Sequence, residues 1–285
     1  MLLGLFGAVL LAAAVGAYGH DGAGSFLSVV MARLVAMGHG DFGVSVLAGT
    51  PAWNQLAVRL PATLSLAGTG ALVAFIIGGP LGLVLGAGRW LRAAAPLIQI
   101  VAALPVFCAS LLLVWLAAIV FHWPHPPYTD ASLLSALLHQ DTKALSDILW
   151  AYALPALTVG AAGAAAVQLA LRRAAAEAMD APYRKGLRLL GLPALEIDRL
   201  YLAPQILAGL LAHLGEIVLA LLSATAIVEW VFDWPGAAVL FVKAVALHDW
   251  PVAALVLLVF AAIKLVADFA GAVGARALAG DSAAP

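Results

Sequence analysis

Apolar residues occur along this chain in long runs that short polar segments interrupt. No charged residue lies between Arg59 and Arg89 or between Arg92 and His122, and a third uncharged run extends from Asp147 to Arg172. A helix crosses the hydrocarbon of a bilayer with about 20 apolar residues, and lipid offers no partner to an unpaired backbone group. These three runs are therefore predicted to be membrane-spanning helices.

Three further spans are expected from less uniform runs. Residues 1–18 are apolar but short, and a cleaved signal peptide is the competing interpretation, although such peptides begin with a basic region that this run lacks. Residues 202–228 and 251–274 each hold two ionisable side chains, His213 with Glu216 and Lys264 with Asp268. The sequence thus predicts an all-α polytopic membrane protein with about six transmembrane helices.

The composition agrees with a bilayer as the solvent. Of the 285 residues, 65% are hydrophobic and 10% are charged, whereas a soluble domain is about half apolar and about a quarter charged. A soluble fold would expose the excess as large apolar patches, which monomers rarely do. Cys108 is the one cysteine of the sequence, which excludes a disulfide framework within the chain.

Lysine and arginine are distributed unevenly among the connections, and cytoplasmic loops carry an excess of them. With the N-terminus inside, the inner loops hold Arg89, Arg92, Arg172, Arg173, Arg184, Lys185, Arg188 and Arg199. The outer loops then hold only Arg33, Arg59, Lys143 and Lys243. Both termini are therefore predicted to be cytoplasmic. In the first outer connection, apolar residues recur at helical spacing from Ser25 to Met37, which predicts an amphipathic helix along the outer surface.

The longest inner connection, residues 172–200, is the part of the chain that is densest in charge. Pro182 suits the first turn of a helix, Gly191 suits a C-terminal stop, and Pro193 follows it. A short helix over residues 182–190 is therefore predicted. On these residues alone, the loop is either a docking surface for another protein or an ordinary solvated loop.

The same loop carries a motif, which begins at Glu177-Ala178 and ends at Gly191-Leu192. It resembles the Glu-Ala-Ala loop of ABC importer permeases, and more narrowly the form found in the dipeptide/oligopeptide/nickel family. The positions that match this form are Tyr183, Lys185, Arg188, Gly191 and Leu192. Further segments are similar to that family in the same order along the chain, at residues 42–64, 104–107, 154–158, 229–236 and 248–252. The resemblance covers residues 26–270.

The resemblance implies the architecture of a type I ABC importer permease. Residues 1–60 would be a first transmembrane helix with an extracytoplasmic amphipathic segment, and residues 61–280 the transmembrane permease domain. The loop at 172–200 would form a coupling helix that docks into a cytoplasmic ATPase. The residues expected to make this contact are Glu177, Ala178, Asp180, Tyr183, Arg184, Lys185, Arg188 and Gly191.

The implied function is a transport subunit, not an enzyme, of the bacterial inner membrane. It would form the translocation pathway of an ATP-driven importer for peptides or a related small solute, nickel included. The expected partners are a second permease, two cytoplasmic ATPases, an extracytoplasmic solute-binding protein and the lipid bilayer, without nucleic acid. No Gly-x4-Gly-Lys-Ser/Thr P-loop occurs in the sequence, so no cofactor is expected on this chain, and ATP with Mg²⁺ is expected on the ATPases.

Polar residues inside a membrane are candidates for function, because charge that faces lipid is costly. His213 and Glu216 are three residues apart and are predicted to share a helix face toward the bundle interior or the pathway. Together with Glu229 they form the predicted pathway set, and packing or pairing is the alternative. Lys264 and Asp268 are predicted to be a structural pair near the cytoplasmic end. Gly78, Gly79, Gly82 and Gly86 are predicted to allow close helix packing, within the chain or between subunits.

Other functions remain open at this stage. His122 and His125 could face one ion, but a metal site needs further ligands with support around them, and none is predicted. A secondary transporter or channel would require coupling carboxylates at mid-membrane and broken helices in paired repeats, and the three cleanest spans contain no acid. An intramembrane enzyme would require a catalytic motif such as His-Glu-x-x-His or Gly-x-Ser-x-Gly, and neither occurs.

Overall fold

The computed structural model describes residues 31–32, 35–87, 108, 111–112, 115–116, 119 and 142–279. These residues are mostly helical, with one isolated antiparallel β-bridge between Val44 and Pro51. The helices are α1 (Ala52–Ala87), α2 (Thr142–Asp180), α3 (Tyr183–Leu189), α4 (Ala194–Ile197), a π-helical turn (Asp198–Leu202), α5 (Ala203–Ala212), α6 (Leu214–Val231), α7 (Ala237–Ala246) and α8 (Trp250–Ala279).

In the described part of the chain, four helices are long and apolar enough to cross a membrane. They are Ala52–Gly86, Ser146–Asp180, Leu214–Val231 and Trp250–Leu278. They confirm four of the predicted spans as long apolar helices. The predicted span at 1–18 lies outside the described residues, as do most of the run between Arg92 and His122, both His122 and His125, and most of the predicted amphipathic segment.

Helices α1 and α2 run in the same direction and pack through glycine. A Cβ at Gly78 would lie 2.5 Å from the carbonyl oxygen of Ala164, and one at Gly82 would lie 2.8 Å from that of Gln168. Gly86 is as tightly placed, whereas a Cβ at Gly79 would meet nothing within 4 Å. Backbones this close need hydrogen in place of a side chain on the facing residue. The predicted close packing is therefore found within the chain for three of the four glycines.

The bundle core lies between α1, α2 and α6. Val159 and Val167 of α2 pack with Ile217, Leu221 and Val228 of α6, and all five side chains are buried. A second cluster joins the start of α1 to α7 and to the first turns of α8, through Leu56, Leu240 and Leu255 among others. Most of the outward-facing residues of the spans are apolar, as a lipid-facing surface requires.

We call the end of the bundle that carries residues 181–202 the charged end, because the arginines and lysines of the loop lie there. We call the other end, which carries residues 41–51 and 232–236, the junction end. Helices α5 and α6 cross the bundle from the charged end to the junction end, and α8 returns antiparallel to them. At α8 the approach is again close, since a Cβ at Gly271 would lie 2.2 Å from the carbonyl oxygen of Leu211.

The predicted span at 202–228 is not one continuous helix. It breaks at His213, whose φ is −102° and which ends α5 and precedes α6. The His213 ring Nδ1 lies 2.9 Å from the carbonyl oxygen of Gly209, the acceptor that a regular helix gives to the backbone N–H of residue 213. That N–H donates instead to Leu210, at 3.1 Å. The prediction that His213 and Glu216 share one face of a single helix is therefore wrong.

The last span is longer than the predicted 251–274, because α8 continues to Ala279. The predicted pair is present, with Lys264 Nζ 2.5 Å from Asp268 Oδ2. Its predicted position near the cytoplasmic end is not found, because Lys264 lies close to the midpoint of α8. The predicted range stopped before Arg276, the one charged residue of 275–279, and the helix continues through it.

Candidate functional site

Helix α3 forms the tip of the loop at the charged end, inside the predicted range 182–190. Pro182 precedes it with φ −60° and ψ −35°, which is already the helical conformation that a proline ring favours. Gly191 follows it with φ +82°. In this left-handed conformation the Gly191 N–H donates to Arg188 at 3.1 Å, and the Leu192 N–H donates to Leu187 at 3.3 Å. Local proline and glycine chemistry thus explains both ends of the helix.

A small apolar cluster attaches the loop to the bundle. Ala178, Ile197 and Leu202 are buried, with Leu187 and Leu192 packed against them. Ala178 therefore lies under the loop rather than on its surface, with 0% exposure. A short side chain is needed there, because it stands on the last turn of α2 beneath the loop.

Two polar contacts add to this attachment. The Tyr183 hydroxyl donates to Oε1 of Gln205 at 2.5 Å, which ties the start of α3 to α5. The Arg184 guanidinium lies 4.0 Å from a carboxylate oxygen of Asp198, whose side chain is 55% exposed. Ion pairs this exposed contribute little to stability. The apolar cluster and the turn geometry therefore hold most of the loop in place.

The outer surface of the loop combines charge with exposed leucine. Of the predicted coupling set, Glu177, Asp180, Tyr183, Lys185, Arg188 and Gly191 are exposed and Arg184 is partly exposed. Leu189 and Leu190 stand beside them, at 88% and 78% exposure, and α3 buries no residue. The sequence reasoning did not single out these leucines. The sequence feature that could have identified them is an apolar pair directly before Gly191, the glycine that ends the helix.

At the junction end, α1, α6 and α7 meet around the carboxylate of Glu229, which is 0% exposed. Thr63 Oγ1 donates to Glu229 Oε1 at 2.6 Å. The backbone N–H groups of Ala238 and Val239 donate to Oε2 at 2.8 and 3.1 Å. Both oxygens are thus occupied by donors, two of which belong to the first turn of α7. A carboxylate satisfies the N–H groups and the partial positive charge of a helix start.

Further hydrogen bonds surround the Glu229 carboxylate, and a glycine leaves space for it. The Ala237 N–H donates to Thr63 Oγ1 at 2.7 Å, so that the hydroxyl bridges α1 to α7. The indole N–H of Trp234 donates to the carbonyl oxygen of Ala62 at 3.2 Å. A Cβ on Gly236 would lie 2.0 Å from the carboxyl carbon of Glu229. Position 236 therefore requires glycine, because any side chain there would collide with the Glu229 carboxylate.

A second junction fixes the loop that precedes α1. The Ser45 hydroxyl donates to Asp249 Oδ2, and the Val46 N–H donates to Asp249 Oδ1 at 3.2 Å. Asp249 and Ser45 are both buried, at 2% exposure each. The loop at residues 41–51 is thereby held against the start of α8.

The predicted pathway residues do not form one group. Glu216 lies on the exposed side of α6, in its first turn, whereas Glu229 lies buried near the other end of that helix. Thirteen residues of helix separate them by about 20 Å. Glu216 has no hydrogen bond or ion pair with the described residues. His213 stands at the break between α5 and α6. Among the described residues no group of three or more His, Cys, Asp or Glu could hold a metal ion.

Known proteins resemble this chain over most of its length. The family described as binding-protein-dependent transport system inner membrane component matches residues 78–279. The probable D,D-dipeptide transport system permease protein DdpB of Escherichia coli K12 is 30% identical over 252 residues, covering 81% of this chain and 73% of the relative.

Two other relatives carry different names. The putrescine export system permease protein SapB of Escherichia coli K12 is 28% identical, covering 74% of this chain and 71% of its own length. The di/tripeptide transport system permease protein DppB of Pseudomonas aeruginosa UCBPP-PA14 is 24% identical, covering 82% and 74%. Most of the described fold, with the charged-end loop, α5 to α8 and Glu229, falls inside the family match.

Proposed function

Because this chain belongs to the inner membrane components of binding-protein-dependent transport systems, we propose that it is one of two permease subunits of an ATP-driven importer of short peptides. Members of the family are multi-pass inner-membrane proteins of ABC importers rather than enzymes, and the four apolar spans described here agree with that class. The relatives support the peptide class, since two of the three carry dipeptide or tripeptide in their names.

The observation that carries the proposal is the surface of the charged-end loop. Leucines at 88% and 78% exposure stand beside exposed Lys185 and Arg188 on a helix with no buried residue of its own. Large apolar side chains exposed as a pair, with arginine beside them and polar groups around them, favour a protein interface. The proposed occupant is a cytoplasmic ATPase, with α3 as the coupling helix. ATP-driven closure of two ATPases would then move the loop, and through α5 the bundle above it.

Two substitutions test the coupling role. Gly191→Val places a β-branched residue at φ +82°, and Glu177→Lys reverses a charge on the exposed last turn of α2. Both variants should remain in the membrane and lose ATP-driven uptake of a labelled dipeptide. Lys243→Gln, at an exposed cation on α7, whose first turn lies at the junction end, is the matched control. Unchanged coupling of uptake to ATP hydrolysis in both variants would exclude the assignment.

The orientation of the chain in the membrane can be tested by cysteine labelling. In a Cys108→Ser background, Leu189→Cys should react with a membrane-impermeant maleimide only after the cells are opened. Leu47→Cys, on the loop at 41–51 and 57% exposed, should react in cells whose outer barrier is permeable to the reagent. The reverse pattern would place the charged end outside and remove the ATPase from the proposal.

Partners are tested by purification of the tagged chain in mild detergent, with mass spectrometry of what is retained. Recovery of P-loop ATPases, a second permease and a solute-binding protein supports the importer. Recovery of the chain alone, under conditions that keep a known importer assembled, favours a transporter without an ATPase. Uptake into vesicles, measured with and without ATP, also decides direction, which matters because one relative is named for export.

A further inference from the structure

Two side chains of opposite charge lie close to the middle of the last span. Lys264 and Asp268 form their ion pair on α8, which extends from Trp250 to Ala279. With a rise of 1.5 Å per residue, both lie within about 6 Å of the midpoint of the helix. At that depth ionised side chains face the bundle interior or a water-filled cavity. The pair is nevertheless about one third exposed, at 34% and 37%.

The pair has the weaker of the two arrangements that support a helix. An acid four residues before a base stabilises an isolated helix more than the reverse order does, and here the base precedes the acid. Replacing a charged pair by apolar groups of similar size is often neutral or stabilising inside proteins. Stability of α8 therefore does not account for two charges at this depth.

A third ionisable group stands at the same level. The Asp268 carboxylate rests on the start of α6, where a Cβ at Gly215 would lie 1.6 Å from Oδ1. The next residue, Glu216, is exposed and has no hydrogen bond or ion pair with the described residues. His213 adjoins them and donates from Nδ1 to the carbonyl oxygen of Gly209. The Lys264–Asp268 pair therefore packs against the first turn of α6, the turn that also carries the exposed Glu216.

An apolar cavity opens beside this group. It has a volume of about 860 Å³ and lies between α6, α7 and α8. Trp230 and Phe241 line it toward the junction end, and Leu219 and Lys264 line it at the level of the middle of α8. Ser223 and Lys264 are the polar residues of its wall. The volume falls in the range of small-molecule sites, about 300–1,000 Å³, which are mostly apolar with a few placed polar groups.

We propose that Glu216, Lys264 and Asp268 form a mid-membrane subsite that contacts the transported solute, with the adjoining cavity receiving an apolar side chain of that solute. The proposal rests on the proposed function, a permease for short peptides. At neutral pH a short peptide carries an α-carboxylate and is largely protonated at its α-amino group. Its ammonium would bind Asp268 and Glu216, and its carboxylate would bind Lys264.

A charged solute needs counter-charges inside a membrane, and this arrangement would supply them. When the peptide arrives, its ammonium replaces that of Lys264 beside Asp268, while its carboxylate takes Lys264 as partner. When the peptide leaves, the internal pair forms again. Neither Lys264 nor Asp268 is left without a counter-ion at a depth where an unpaired charge is costly. The subsite favours zwitterions with a neighbouring apolar group over neutral or singly charged molecules of the same size.

The first test uses Ser223, which is exposed on the cavity wall. The assembled complex, with its partner permease and ATPases, carries Ser223→Cys in a Cys108→Ser background and is placed in proteoliposomes. During ATP turnover a water-soluble cationic thiol reagent should modify Cys at this position, and a saturating dipeptide should slow the reaction at least fivefold. No modification in a complex that transports would overturn the proposal, because the cavity would then be covered by lipid or by a partner helix.

The second test removes both charges together, so that no unpaired charge remains to disturb folding. The double variant Lys264→Met with Asp268→Asn should assemble with its partner subunits, while dipeptide uptake falls at least tenfold. Lys243→Met, at an exposed position on α7 that does not line the cavity, is the control. Uptake at the unaltered level in the double variant would show a purely structural pair. Absence of ATP-dependent uptake in the unaltered complex would instead contradict the proposed function itself.

Discussion

The two ends of the bundle treat their polar groups in opposite ways. At the junction end the carboxylate of Glu229 is fully buried and accepts three hydrogen bonds, from Thr63 and from two backbone N–H groups of α7. At the charged end Lys185 and Arg188 project from α3 into solvent, and the ion pair nearest to them spans 4.0 Å between Arg184 and Asp198.

Charged side chains therefore have different roles at the two ends of the bundle. A buried carboxylate is tolerated only when its oxygens are satisfied, and once satisfied it fixes the elements that supply the donors. Exposed charges and leucines fix little within the chain and remain available to another protein. The junction end therefore defines the geometry of the bundle, and the charged end offers a surface.

The largest expected effect comes from breaking the junction. Glu229→Ala leaves the N–H groups of Ala238 and Val239 and the hydroxyl of Thr63 without their acceptor. Each such group costs about 1–3 kcal/mol, so we expect a loss of at least about 3 kcal/mol, or failure to accumulate. Thermal unfolding in detergent, followed by size-exclusion chromatography, measures it. Glu216→Ala, on the exposed side of the same helix, should leave the midpoint nearly unchanged. Equal stability of the two variants would contradict the structural role of Glu229.

The next effect compares two adjacent glycines of α1. Gly78→Ala forces a Cβ to within 2.5 Å of the Ala164 carbonyl oxygen, and overpacking of this kind costs about 1–3 kcal/mol. Gly79→Ala has open space and should be neutral or stabilising by up to about 1 kcal/mol. The same unfolding assay separates them. A Gly78→Ala variant as stable as the Gly79→Ala variant would show that α1 and α2 do not pack this closely.

At the charged end, substitution should change binding rather than folding. The double variant Leu189→Ser with Leu190→Ser removes two exposed side chains. Its thermal unfolding midpoint should therefore stay within about 2 °C of that of the unaltered chain. Association with the ATPase should weaken about tenfold, which corresponds to about 1.4 kcal/mol. Titration of the purified permease pair with ATPase measures this. Leu195→Ser, at 72% exposure on α4, shows how far the contact extends beyond α3. A lower midpoint with unchanged association would reverse the assignment of this surface.

The smallest effect is expected at the attachment of α3 to α5. Tyr183→Phe removes the hydroxyl that donates to Gln205, a contact near the protein surface worth about 0.5–1 kcal/mol. Tyr201→Phe serves as the control, because its hydroxyl has no hydrogen bond with the described residues. Hydrogen exchange at the backbone of α3 is the sensitive measurement. Exchange that is equally fast in both variants would show that the contact does not order the helix.

Features that depend on nearby residues could be predicted from the sequence. Apolar runs predicted four spans that the structure describes, and Pro182 with Gly191 predicted the short helix between them because each acts on its own backbone. The boundary of α8 and the break at His213 were missed. No proline marks that break, and the ring-to-carbonyl bond that makes it leaves no pattern of hydrophobicity.

Features that depend on distant residues could not be predicted. Glu229 was interpreted as a pathway residue because it is an acid beside a span, and its partner Thr63 lies 166 positions away in sequence. Its pathway role, like that of His213, stays a prediction, although its oxygens are occupied in this structure. The coupling residues were selected by resemblance, and the structure adds the two exposed leucines that the motif does not name.

The break at His213 has a mechanical consequence. A continuous helix bends as one rod, so tilting one end tilts the other. Here the backbone ladder lacks one i→i−4 bond, and the ring Nδ1–H occupies the released carbonyl. Because a carbonyl oxygen can only accept, the ring Nδ1 is the donor in this hydrogen bond. We therefore expect α5, which packs against α8 at Gly271, to be less rigidly coupled in tilt to α6, which Glu229 ties to α1 and α7, than it would be in one continuous helix.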